Sequence, residues 1–76
     1  MTYPTKFETR EDLRRFSEMA SQEDFNIYIS TSLVHLDAKS LLALFNIIGK
    51  EVNITAPDHA DANKFIAFLE KYENKV

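Results

Sequence analysis

From Phe25 to Ser30 apolar and polar side chains alternate without a break, with Phe25, Ile27 and Ile29 on one parity and Asn26, Tyr28 and Ser30 on the other. Period two belongs to a strand with one face on a core and one in water. Such a strand cannot stand alone, so the rest of the chain must supply strands to pair with it and a layer to cover it. The chain has 76 residues and no cysteine, so that cover must come from apolar packing without disulfides. Ser30-Thr31-Ser32 reads as a turn. Beyond it Val34, Leu36 and Ala38 face inward again, with Leu33 and His35 outward, which predicts a hairpin.

Two segments of helical period enclose this hairpin. Thr9-Arg10-Glu11-Asp12 has the form of a capping box, with Thr9 placed to accept from the Asp12 N–H. A helix is predicted to run on to about Ser21, with Leu13, Phe16, Met19 and Ala20 as its apolar stripe and Glu11 paired with Arg15 on the wet side. A last helix is predicted from Pro57-Asp58 to about Glu73, its stripe formed by Ala62, Phe65, Ile66, Leu69 and Tyr72. Tyr3 to Phe7 reads as a strand that Pro4 confines to a sheet edge. Val52, Ile54 and Ala56 mark another, and a short helix from about Leu41 to Ile47 precedes it, ended near Gly49. The order is β-α-β-β-α-β-α. It predicts an α+β fold: a four-stranded antiparallel sheet with the helices on one face. No linker, repeat or low-complexity tract interrupts the chain, so residues 1–76 read as one domain.

Several functions are disfavoured at this level. A formal charge of −3 argues against nucleic acid, and Arg10, Arg14 and Arg15 have acids among them. No apolar run approaches the length of a membrane span, and the start of the chain lacks a signal-like core, which points to a cytoplasmic protein. One glycine cannot build a phosphate loop. The carboxylates Glu11, Asp12, Glu18, Glu23 and Asp24 read as a wet helix face and its exit, so no catalytic constellation stands out and the chain reads as a non-enzyme. His35 and His59 have no second metal-ligand motif near them. No cofactor is indicated.

Leu36-Asp37-Ala38-Lys39-Ser40-Leu41 resembles the third strand and helix entry of HPr, the histidine phosphocarrier family of the bacterial phosphotransferase system. Asn26-Ile27-Tyr28-Ile29 resembles that family's second strand, and Val52-Asn53-Ile54-Thr55-Ala56 with Phe65-Ile66-Ala67-Phe68-Leu69-Glu70 its last strand and helix. The resemblance runs from about Thr9 to Tyr72 and implies an HPr-like open-faced sandwich. It breaks at the family's active loop, Gly-(Leu/Ile)-His-(Ala/Thr)-Arg-Pro. Matching the letters Thr-Arg leaves Glu8 at the histidine position, whereas extending the gapless helix register places Thr9 there. In either register the carrier histidine and the proline are absent.

The resemblance implies protein partners: phosphotransferase enzymes, a serine kinase or a transcription regulator. It also implies that Ser40 is a phosphorylation site and that Lys39, Leu41 and Phe45 belong to a docking patch. Ser40 reads as a cap of the short helix, with Asp37 in competition, and Lys39 as a nearby cation. Leu41, Leu42, Leu44, Phe45, Ile47 and Ile48 are too many apolar residues for one side of two turns. They form a docking patch, the two-sided packing of a small core, or a weak homodimer interface on an otherwise monomeric chain. The function expected is that of a non-carrier HPr-like protein acting by docking. The alternatives are a phosphocarrier with an atypical acceptor, and a structural or oligomerisation module.

Overall fold

A computed structural model describes residues 1–73. Strand β1 (Thr2–Lys6) leads to helix α1 (Arg10–Ser21), the hairpin β2 (Tyr28–Ser30) and β3 (His35–Asp37), and the short helix α2 (Leu41–Leu44). A single 3-10 turn (Phe45–Ile47), strand β4 (Glu51–Thr55) and helix α3 (Ala62–Glu73) complete the chain. The four strands pair antiparallel in the order β1-β4-β2-β3. Helices and sheet have the predicted order, so the fold is α+β.

Strand parity sorts the sheet into two faces. Tyr3, Ile54, Ile29 and Leu36 lie in one cross-strand row and turn toward the helices. Ile29 and Ile54 are fully buried in the same cluster as Leu13, Phe16, Phe65 and Phe68. The rows Thr2-Thr55-Tyr28-Asp37 and Pro4-Asn53-Ser30-His35 occupy the other face, which no helix among the described residues covers.

Aromatic rings join the layers. Phe16 of α1 lies 5.0 Å from Phe7, just past β1, 5.6 Å from Phe68 and 5.3 Å from Tyr72, both of α3. Tilted and edge-on pairs of this kind add to the burial of the rings themselves. Gly49 ends the turn after α2 with φ +81°, a conformation that costs a side chain with a Cβ about 1 kcal/mol, and its N–H donates to Phe7 O at 2.8 Å.

Five details depart from the sequence reading. The paired part of β2 begins at Tyr28, not Phe25, because the ladder with β3 stops at the Ala38 N–H to Ile27 O bond, where the partner chain turns away. Val34 is 41% exposed, not inward. Thr31 Oγ1 accepts from the Leu33 and Val34 N–H groups and folds the hairpin tip into a local turn. Helix α3 starts at Ala62, because Asp61 accepts from Asn63 N–H through its side chain and from Phe65 N–H through its carbonyl, whereas Pro57 closes a separate turn onto Ala60. The stripe of α3 is Phe65, Phe68, Leu69 and Tyr72; Ile66, one residue off it, is 51% exposed, and Ala62 is exposed. Glu11 pairs with Arg14, which also binds Glu18, while Arg15 faces α3. There its guanidinium lies 4.4 Å from the Tyr72 ring centre and donates to Tyr72 O at 3.1 Å. Among the described residues no helix is long and apolar enough to cross a membrane.

Removing the ring at the centre of the cluster is expected to be severe. Phe16→Ala should lose about 3–5 kcal/mol, comparable to the whole stability of a domain this small, and leave the chain largely unfolded in circular dichroism at neutral pH. Burial raises the Tyr72 phenol above its ordinary value, against a smaller opposing effect of Arg15. The ionised form is therefore disfavoured in the folded chain. The neutral ring's contribution is complete below about pH 10 and is lost as pH rises through the raised value. Tyr3 is raised too, first by its hydrogen bond to Glu73, so it acts in the same direction. Urea midpoints should fall above about pH 10, and Tyr72→Phe should flatten that fall without abolishing it.

Candidate functional site

The start of α1 and the whole of α2 come together on the helical side of the molecule. Thr9 is extended (φ −134°, ψ 161°), and its Oγ1 accepts from Asp12 N–H at 3.1 Å, so the hydroxyl serves as the helix cap. Glu8 is exposed and sits 3.7 Å from Lys6 Nζ. The Arg10 guanidinium stacks over the Phe45 ring, 4.8 Å from its centre. That contact ties the first turn of α1 to the end of α2. Neither histidine takes part. His35 lies on the uncovered face of the sheet, its ring 4.3 Å from that of Tyr28, and His59 is exposed in the loop before α3.

Ser40 departs from its predicted role. It stands at the N-cap position of α2 but makes no side-chain capping bond. Its N–H instead donates to Asp37 O at 3.0 Å, and Lys39 N–H donates to Asp37 Oδ1 at 2.8 Å. Asp37 therefore shapes the turn from β3 into α2, and the Ser40 hydroxyl is left exposed. The ammonium of Lys39 reaches away from Ser40, to Glu23 O at 3.3 Å. Four residues of α-helix carry little dipole, so neither a cap nor a neighbouring cation prepares this serine for phosphate.

The apolar residues of α2 divide by helical period. Leu44 and Ile47 are buried, and Leu41, Phe45 and Ile48 are partly buried against the core. Leu42 is 83% exposed. Leu41, Leu44, Phe45 and Ile48 follow the i, i+3, i+4, i+7 stripe of a core-facing helix, and Leu42 falls beside it. That offset is the signal in the sequence that marks Leu42, rather than Leu41 or Phe45, as the crest of the surface. Lys39, the free flank of Leu41, Leu42 and the Arg10–Phe45 stack thus border one another.

The two helix starts should respond differently to loss of a hydroxyl. Thr9→Ala is expected to lower stability by about 1 kcal/mol through the lost cap. Ser40→Ala should leave thermal unfolding nearly unchanged, because its Oγ makes no capping bond. Equal destabilisation of the two variants would contradict the assigned roles.

No known family model matches the sequence, and no curated protein matches it. Solved structures do match. The phosphocarrier protein HPr from Bacillus anthracis str. Ames is 18% identical and superposes with a TM-score of 0.68 over 95% of this chain and 94% of its own. HPr-C-His from Thermoanaerobacter tengcongensis is 17% identical, with a TM-score of 0.69 over 100% of this chain and 97% of its own. Sheet order, helix placement and these superpositions together give the chain the HPr-like fold, an open-faced sandwich of three helices on a four-stranded antiparallel sheet.

Proposed function

We propose that this chain is an HPr-like protein of phosphotransferase-system type that has no carrier histidine and acts by docking onto other proteins. The observation that carries this reading is the start of α1. Phosphoryl transfer through a phosphohistidine needs a nucleophilic imidazole nitrogen at a helix N-terminus. Here Glu8 and Thr9 stand at the helix start, and the Thr9 hydroxyl is engaged as a cap. The docking surface is the crest of α2: Leu42, flanked by Leu41, Phe45, Lys39 and Arg10. It joins one exposed apolar anchor to cationic groups, a combination suited to an acidic groove with an apolar floor. The partners are phosphotransferase enzymes, a serine kinase or a transcription regulator, and the setting is the bacterial cytoplasm. Ser40 is a subsidiary regulatory site, supported by its exposure and by the Lys39-Ser40-Leu41 resemblance.

Incubation with phosphoenolpyruvate and the first enzyme of the phosphotransferase system should leave no acid-labile phosphate on this chain. Such a phosphate on Glu8 or elsewhere would replace the docking reading with that of an atypical carrier. In binding measurements with the same enzyme, Leu42→Lys should weaken association about tenfold or more while leaving circular dichroism unchanged. Incubation with the serine kinase and ATP, followed by mass spectrometry, should place phosphate on Ser40. Modification elsewhere, or none, removes that part of the proposal.

A further inference from the structure

The two edges of the sheet are finished differently. Along β1, the bonds to β4 leave Thr2, Pro4 and Lys6 with their backbone groups outward. Pro4 has no N–H to offer there, and Lys6 adds a charge; both discourage another strand from pairing. Along β3, the Thr31 N–H to Val34 O and Ala38 N–H to Ile27 O bonds fix which residues face β2. By alternation, His35 and Asp37 turn their backbone groups outward. Asp37 O accepts from Ser40 N–H, while His35 N–H, His35 O and Asp37 N–H have no partner among the described residues. No proline or lysine lies within β3. Beside it, at the hairpin tip, Leu33 is 91% exposed and Val34 is also exposed.

We propose that the free edge of β3 is a self-association surface, on which a second copy of this chain pairs antiparallel, His35 opposite Asp37, about a two-fold axis at Leu36. The proposal goes beyond the α2 docking reading and uses a different surface. The pairing of an imidazole with a carboxylate selects the occupant and the register. With Leu36 on the axis, His35 N–H donates to the partner's Asp37 O, and the N–H of the partner's Asp37 donates to His35 O, with the same bonds repeated by symmetry. The carbonyl of Asp37 has a second lone pair for this bond beside the one used by Ser40. On the uncovered face, the imidazole of His35 then stands opposite the partner's Asp37 carboxylate. Tyr28 holds that imidazole in place from below, and Asp37 uses only Oδ1 in its own turn, which leaves Oδ2 for the contact. A register with His35 opposite His35 loses both pairs. A three-residue edge gives a small, weak interface.

Sedimentation velocity of the full chain, from about 10 µM to about 1 mM, reads this directly. A concentration-dependent dimer is expected. His35→Asp opposes like charges across the axis and should weaken the dimer about tenfold or more. His35→Lys should retain it. His35→Pro, which gives β3 the same stop that Pro4 gives β1, should abolish it. Leu42→Lys should leave it unchanged. His35 is exposed, so circular dichroism should show every variant folded. A monomer throughout the range, a dimer indifferent to His35→Asp, equal losses in His35→Asp and His35→Lys, or dissociation by Leu42→Lys instead would each overturn the proposal.

Discussion

The packing of the Phe16 ring against Phe7 and against Phe68 and Tyr72 is the contact on which the rest depends. It joins the end of β1, the middle of α1 and the inner stripe of α3 at one point. Helices α1 and α3 meet again beside it, where Arg15 stacks on the Tyr72 ring and donates to Tyr72 O. A domain of this size has no disulfide and little surplus burial, so one ring that touches three elements carries a large share of the net stability. The same contact also positions the candidate site. By fixing α1 over the sheet, it sets where Thr9 and Arg10 emerge, and Arg10 then meets Phe45 from α2.

The fold concentrates its options at two places. The helical side presents a crest of Leu42 among cationic and partly buried neighbours, built on a helix too short to bury everything it carries. The sheet side presents polar rows and one unpaired edge. A protein docked on α2 and a strand added to β3 would use different elements, the crest of a short helix and the backbone edge of a strand. The histidine pattern follows the same division. His35 lies beside Tyr28 on the uncovered face, away from the start of α1.

Much of the architecture was legible in the sequence because strand and helix periods leave direct marks. The parity of Ile27, Ile29, Val52, Ile54 and Ala56 identified the core face of the sheet, and the Thr9 cap located α1. The errors cluster where hydrogen bonds of short polar side chains overrule the pattern. Thr31 lifts Val34 out of the core, Asp61 takes the cap of α3 from the Pro57 turn, and Asp37 shapes the turn in place of Ser40. In each case several local oxygens compete for the same few N–H groups, and the winner depends on backbone geometry that composition does not encode. Arg14 and Arg15 show the same limit: either could pair with Glu11, and the packing of α3 decides which one faces solvent.

By itself, the sequence determined the fold class, the order of elements, the core face of β2, β3 and β4 and the residues that stand at the start of α1. These follow from period, capping chemistry and residue identity, all of which are local. Only the tertiary structure decided that Arg10 joins the surface of α2 through Phe45, and that β3 keeps an open edge while β1 is closed by Pro4. Those outcomes depend on which elements become neighbours. Exposure and pairing belong to the assembled layers, because a side chain or a backbone group is free only when nothing else in the fold has reached it.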